Sequence, residues 1–261
     1  MIIITGTDGF IAKHFINEIT DPFISVTKEN AYEFLRTFDE WNKVSLIIHQ
    51  GAISSTTEKN IYSLHHYNVA FTLQLFEYAL MYEIPIKYAS SASVYGNTKG
   101  QINPLNHYAI TKLQIDYFVQ ENLHRFPLIQ GFRYFNVYGE GEDHKGDQAS
   151  PVSKFTKQIK ETGKIKLFEG SENFYRDFVY VKDVVDVVLY NDAPSGIYDL
   201  GTGSPISFKD VADLVAKKEG GEIELIPFPD HLKGKYQTYT CADMEGVDYK
   251  FKTVQEYLML N

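Results

Sequence analysis

The chain has 261 residues, 44% hydrophobic and 23% charged, with a formal net charge of −9. That length supports one large core or a nucleotide-binding domain with a smaller lobe, and the acidity excludes non-specific nucleic-acid binding, which needs basic surface. A single cysteine, Cys241, excludes an intrachain disulfide and points to a reducing, cytoplasmic setting.

No apolar run approaches the roughly 18 residues that span a bilayer, so no membrane association is expected. A first strand at residue 2 is expected to leave no room for a secretory leader. Met1 to Ile4 is β-branched and reads as a buried parallel strand. Thr5-Gly6-Thr7-Asp8-Gly9-Phe10-Ile11-Ala12 follows, then a helical stretch to Thr20 closed by Asp21-Pro22. Strand, glycine turn and helix form a phosphate cradle: glycines let the backbone approach a pyrophosphate, which sits at the helix N-terminus. Gly6, Thr7, Asp8, Gly9, Phe10 and Ile11 are therefore candidate dinucleotide ligands, with Ala12 at the close-packing position.

Phe23 to Val26 reads as the second strand. Its end, where NAD-binding chains carry a ribose-binding carboxylate about 20 residues past the first glycine, holds Thr27-Lys28 instead. Lys28 is either a solvated charge or a partner for the 2′-phosphate of NADP, so NADP is expected, with NAD possible. Glu29 to Trp41 predicts a helix and Val44 to His49 a strand, with one βα unit of the usual plan absent. Gln50, Gly51 and Ala52 follow at a strand's carboxyl end, where ligands gather in open α/β sheets, and Ser54 opens a polar loop.

Ile86 to Ala89 predicts a strand running into Ser90-Ser91. Tyr108 to Leu123 predicts a helix with apolar positions at Ile110, Leu113, Tyr117 and Phe118. Residues four apart share a helix face, so the Lys112 ammonium is expected beside the Tyr108 phenol, lowering its pKa for general acid–base work. A second Tyr-x-x-x-Lys, Tyr95 to Lys99, lies in a Gly-bounded loop, where that spacing promises no shared face. Leu128 to Arg133 predicts a further strand.

The glycine turn, Asn68-Val69-Ala70-Phe71-Thr72, Ser91, Tyr108, Lys112 and Arg133-Tyr134-Phe135-Asn136-Val137-Tyr138-Gly139 fall in one order. In that order they resemble the extended branch of the short-chain dehydrogenase/reductase family. The resemblance implies an α/β fold, a Rossmann-type doubly wound parallel sheet with a small C-terminal substrate lobe. Residues 1–139 and 175–200 would form the NAD(P)-binding domain, and 140–174 and 201–261 the lobe. It implies that Ser91 holds the reacting oxygen, Asn68 steadies the site, Val137 touches the cofactor and Asn136 the diphosphate side of the substrate.

His144-Lys145-Gly146, Phe168-Glu169-Gly170-Ser171-Glu172-Asn173-Phe174 and Pro227 to Gln237 narrow the resemblance to nucleotide-sugar epimerases that act on an ADP-linked heptose. It implies that Arg176 holds a diphosphate as a guanidinium fork. Phe168, Glu169, Gly170 and Ser171 would line the nucleotide, and Tyr236 would reach the phosphates or sugar. Lys145 would be a second acid–base group on the sugar side. Asp147 and Lys154, expected near substrate, stand where the family has serine and histidine. The chain is expected to use an ADP-sugar, to need no metal and to self-associate. Another nucleotide-sugar epimerase, dehydratase or reductase, and a non-catalytic NADP-binding protein, stay open as alternatives.

Overall fold

A computed structural model describes residues 1–98, 100–230 and 237–260. Short apolar runs form the strands of a six-stranded sheet: β1 (Ile2–Thr5), β2 (Phe23–Val26), β3 (Leu46–His49), β4 (Ile86–Ser91), β5 (Ile129–Tyr134) and β10 (Gly196–Leu200). Their order is β10-β5-β4-β3-β1-β2, and the pairs β1–β2, β1–β3, β3–β4 and β4–β5 are parallel. This is the doubly wound arrangement, in which the chain steps outward one way and then returns past its first strand. Ile3, Ile4, Ile47, Ile48, Ile86 and Ile129 are fully buried, as expected of strands covered on both faces.

The helices follow as α1 (Phe10–Glu18), α2 (Ala31–Thr37), α3 (Ile61–Leu64), α4 (Phe71–Met81) and α5 (His107–Asn122), with a π-helical turn over His65–Ala70 between α3 and α4. The helix expected over Glu29 to Trp41 is shorter: α2 ends at Thr37 and Trp41–Lys43 forms a separate 3-10 turn. The chain then crosses β1 directly to β3, which leaves β2 at the sheet edge, as the absent βα unit requires.

Contacts divide the chain into two compact units. The first comprises Met1–Val94, Pro104–Tyr134 and Val185–Tyr198; the second comprises Tyr95–Asn103, Phe135–Val184 and Asp199–Asn261. The second holds three two-stranded sheets. β6 (Asn136–Tyr138) pairs with β9 (Phe178–Tyr180) and β7 (Lys164–Phe168) with β12 (Glu222–Ile226), both parallel, while β8 (Tyr175–Arg176) pairs antiparallel with β11 (Ile206–Ser207). Helices α6 (Pro151–Thr162), α8 (Phe208–Glu219) and α9 (Val254–Leu260) accompany them, and α7 (Val181–Tyr190) runs from the second unit into the first. No helix among the described residues is long and apolar enough to cross a membrane.

Candidate active site

The glycine turn closes on itself before any ligand is considered. Gly6 has φ +72°, and a Cβ there would lie 2.6 Å from the Gly51 Cα. The turn is pinned by Gly6 N–H to Val26 O (2.7 Å) and Gly9 N–H to Gly6 O (2.9 Å). Gly9 is the N-cap of α1, makes no side-chain cap, and the first turn carries no acidic residue. The helix N-terminus thus keeps donors and partial positive charge for an anion. Ala12 is buried in α1, at the position read as close-packed. Ser25 Oγ donates to Thr7 Oγ1 at 2.6 Å, tying the turn to β2. Lys28, just past β2, lies over the Tyr67 ring with its Nζ 4.7 Å from the centroid.

At the carboxyl end of β3, Gln50 Oε1 accepts from the Tyr134 hydroxyl at 3.0 Å. Its Nε2 is buried without a protein partner among the described residues, as is the Ser90 hydroxyl at the end of β4. Orphaned donors beside a cradle that a Cβ would fill are what a dinucleotide site requires. Asn68 is held from three sides. Its Nδ2 donates to Ile53 O (3.0 Å) and Thr111 Oγ1 (3.1 Å), and its Oδ1 accepts from Ile53 N (2.8 Å). It sits in the π-helical turn, an irregularity often found at functional sites.

Asn106 caps α5, its Oδ1 accepting from Ala109 N at 2.9 Å, so the helix begins one residue before Tyr108. Ser91, last in β4, accepts the Ser93 N–H at 3.2 Å, and its hydroxyl is close enough to Tyr108 to pull the phenol pKa down. Lys112 donates to Ala89 O at 2.7 Å, and its Nζ is 6.0 Å from the Tyr108 ring centroid. Ser91, Tyr108 and Lys112 are therefore brought together at one strand end.

The electrostatics correct the expectation for Tyr108. Its pKa is raised, first by burial and also by Asp116, while the Ser91 hydrogen bond pulls it down. Burial also lowers Lys112 from 10.5 to about 8, against the pull of Asp116. The lysine spends its short hydrogen bond on a backbone carbonyl, and burial outweighs any help it gives the phenolate.

The inward face of α5 is likewise not the apolar stripe expected. Ile110 and Tyr117 are exposed, while Tyr108, Thr111, Lys112 and Asp116 are buried with Ala109, Ile115 and Val119. Asp116, four residues past Lys112, accepts from Tyr88 Oη (3.0 Å) and Arg133 Nε (2.8 Å). The 108, 112, 116 spacing could have revealed it.

The second unit carries the remaining candidates. Arg176 is buried, donates to Tyr175 O (3.0 Å) and Gln237 O, and lies 5.5 Å from the Phe208 ring centroid. Phe168 meets Phe228 edge-on at 5.6 Å, Glu169 N–H bonds Ile226 O at 2.9 Å, and Ser171 Oγ donates to Phe168 O at 2.5 Å. Gly170 has φ +83° at the bend between them.

Asn136 and Val137 lie in β6, opposite Phe178 and Val179. Lys145 donates to Glu142 at 3.2 Å. Glu142, missed in the sequence although only three residues away, is fully buried and also accepts Gly139 N, Ser150 N and Ser150 Oγ. Lys154 is half-buried on α6. Tyr95 of the second Tyr-x-x-x-Lys donates to Asp199 at 2.6 Å. The Asp147 side chain, Lys99 and Tyr236 lie outside the described residues.

Residues 2–197 match the NAD dependent epimerase/dehydratase family. Over 99% of its length the chain is similar to 93% of ADP-L-glycero-D-manno-heptose-6-epimerase from Helicobacter pylori, at 26% identity and TM-score 0.85. It is also similar in fold to UDP-glucose 4-epimerase of Thermus thermophilus in complex with NAD (22% identity, TM-score 0.77, 93% of this chain and 90% of that one). RMD from Pseudomonas aeruginosa, complexed with NADPH, shares the fold at 18% identity and TM-score 0.78 over 98% and 95% of the two chains. The chain belongs to the NAD dependent epimerase/dehydratase family, as an NAD(P)-dependent enzyme of the epimerase kind.

Proposed function

We propose that the enzyme interconverts ADP-D-glycero- and ADP-L-glycero-D-manno-heptose, by oxidation and re-reduction at the exocyclic carbon, with NADP as cofactor. The observation that carries the reaction is the buried pair Tyr108 and Lys112, one helical turn apart, with Ser91 beside the phenol at the end of β4. The substrate rests on the Lys145, Phe168–Phe174 and Pro227–Gln237 stretches and on the similarity to the H. pylori enzyme. A nicotinamide dinucleotide held by the Gly6–Ile11 turn, Gln50, Gly51, Ala52, Ser54, Lys112 and Val137 supplies hydride exchange and, when oxidised, a positive charge that favours a phenolate. NADP is preferred for the cation at Lys28.

Tyr108 takes the proton of the substrate hydroxyl and later returns it. Ser91 fixes the direction of that transfer: it accepts from Ser93 N–H, so its own hydrogen points to the phenol oxygen or to the substrate oxygen. Lys112 orients the sugar hydroxyls of the cofactor. Lys145, which donates to Glu142, is the candidate for the second acid–base group that a second face of the ketone would need. Arg176 faces the diphosphate, supported by Asn136, and Phe168 to Ser171 receive the nucleotide, making the second unit the substrate lobe. A cytoplasmic, self-associating enzyme accompanies this reading.

The deciding experiment incubates the protein with the ADP-heptose and catalytic NADP and separates the epimers beside a Tyr108→Phe control. Interconversion by the wild type with at least a roughly hundredfold loss in the variant supports the reading. A fully active variant refutes the role of Tyr108. An idle wild type with bound cofactor moves the substrate to another nucleotide sugar, which Asp147 and Lys154, departing from the family pattern, would favour.

A further inference from the structure

We propose that His49 is a positioning residue: its imidazole locks the cofactor turn to the Tyr108 helix through one directed chain of hydrogen bonds. The proposal rests on the reading of Gly6–Gly51 as the cofactor cradle and of Tyr108 as the acid–base group. His49 ends β3, is 2% exposed, and uses both ring nitrogens: Nδ1 is 2.7 Å from Thr5 Oγ1 and Nε2 is 2.8 Å from Thr72 Oγ1.

A hydroxyl has one hydrogen, which decides the direction of every bond. Thr72 spends its hydrogen on Asn68 O at 2.9 Å, so it must accept from His49 Nε2–H. The neutral ring then leaves Nδ1 as an acceptor. Thr5 donates to that nitrogen and accepts the Gly51 N–H at 3.0 Å. Gly51 is the residue on which the Gly6 turn closes. At the other end, Asn68 Nδ2 donates to Thr111 Oγ1 (3.1 Å), which donates to Tyr108 O at 2.7 Å. The chain therefore runs from Gly51 through Thr5, His49, Thr72, Asn68 and Thr111 to the peptide of Tyr108.

Each group in the chain has its hydrogen committed, so a second proton on His49 costs the bond that Thr5 donates to Nδ1. It would turn Nδ1 into a second donor to Thr5 Oγ1, which already accepts Gly51 N–H, and leave the Thr5 hydrogen without the acceptor it has now. Burial and the nearby Lys112 ammonium oppose that proton as well, holding the imidazole pKa down at about 3. His49 is thus a neutral, single-tautomer spacer beneath a site that carries charge, and its two ends have separable jobs. The Nδ1 end sets the Gly51 N–H and the turn; the Nε2 end sets Asn68 and α5.

Two measurements test this. Nitrogen-15 NMR of the wild-type protein with ring-labelled histidine, assigned by the signal lost in His49→Gln, should show one Nε2–H tautomer that does not titrate between about pH 5 and 9. An Nδ1–H tautomer or a midpoint in that range overturns the proposal. The second measurement separates the two ends. His49→Asn places a carboxamide near Nδ1 and keeps the Thr5 acceptor, while His49→Gln reaches towards Thr72 and keeps the donor.

The expectation is that His49→Asn keeps cofactor affinity and loses about tenfold in kcat, whereas His49→Gln loses about tenfold in cofactor affinity and keeps more of kcat. Equal losses in both quantities by both variants would make His49 a space-filler and overturn the proposal. If the wild type epimerises no ADP-heptose, the functional reading fails, while the tautomer and cofactor affinity still decide the role of His49.

Discussion

Lys112→Met should leave the first unit at least as stable as the wild type while removing activity. Burial brings the Lys112 ammonium from 10.5 in the open chain to about 8 in the fold. A cation whose folded pKa is depressed costs stability while charged, and the cost shrinks as pH rises from the folded towards the unfolded value. Integrated over that window, the charge costs roughly 3 kcal/mol near pH 7 and roughly 1.5 kcal/mol near pH 9.5. Methionine keeps the apolar stem and removes the charge, but leaves Ala89 O without its 2.7 Å donor. That loss is worth about 1–3 kcal/mol and largely offsets the gain at pH 7. The sharper expectation is in the slope: from about pH 7 to 9.5 the wild type should gain about 2 kcal/mol relative to the variant. Lys87, also lowered to about 8 by burial, is present in both proteins and cancels in the difference. The single tryptophan, Trp41, is buried in the first unit, so its fluorescence in urea reports the unit that holds Lys112. A difference between the proteins that stays flat with pH refutes the assignment of a buried, charged Lys112.

Asp116→Asn removes the charge that raises both Tyr108 and Lys112, so both pKa values fall and the activity profile slides to lower pH; an unmoved profile counts against that coupling. Gly6→Ala forces a Cβ to 2.6 Å from the Gly51 Cα at φ +72°. Calorimetry should register a loss of cofactor affinity of at least about tenfold, the equivalent of about 1.4 kcal/mol. Glu142→Ala removes the acceptor shared by Gly139 N, both Ser150 donors and Lys145, and should cost roughly 3 kcal/mol in thermal unfolding of the second unit. A melting temperature equal to the wild type's would show that the Glu142 network does not hold that loop.

What was legible in the sequence follows from what is local. Strands β1, β3 and β4 were legible as short apolar runs that each lead into a glycine turn or a serine end, whereas β10 and the order of the strands, set by pairings between distant segments, were not. The inward face of α5 was not legible, since hydrophobic periodicity assigns Ile110 and Tyr117 to the core. The buried side of that helix is occupied by Tyr108, Lys112 and Asp116 instead. His49 was hidden for a related reason: in a run of buried isoleucines a histidine reads as one more strand residue, and only its two threonine partners, 44 and 23 residues away, give it a role. In the second unit the pairing of Lys164–Phe168 with Glu222–Ile226 joins segments too far apart for any local pattern to register.

The absent βα unit raises a physical question: what covers the end of the sheet where it would have been? Its place in the chain is the link between α2 and β3, and that link holds Trp41. The indole stacks on Tyr78 at 4.3 Å and 8° and meets Phe38 at 5.0 Å and Phe34 at 5.5 Å, with Tyr82 at 6.2 Å. Tyr78 then returns to α2, its hydroxyl donating to Leu35 O at 2.9 Å. Each ring buries a large apolar area, and the pairs add about 0.5–1.5 kcal/mol apiece beyond that area. An aromatic cluster on α2, α4 and the link between α2 and β3 thus joins the core of the first unit. The glycine turn, Gln50 and Ser91 sit at the carboxyl ends of β1, β3 and β4. The shortening falls on the side of the sheet beyond β2, the strand after which Lys28 lies over the Tyr67 ring.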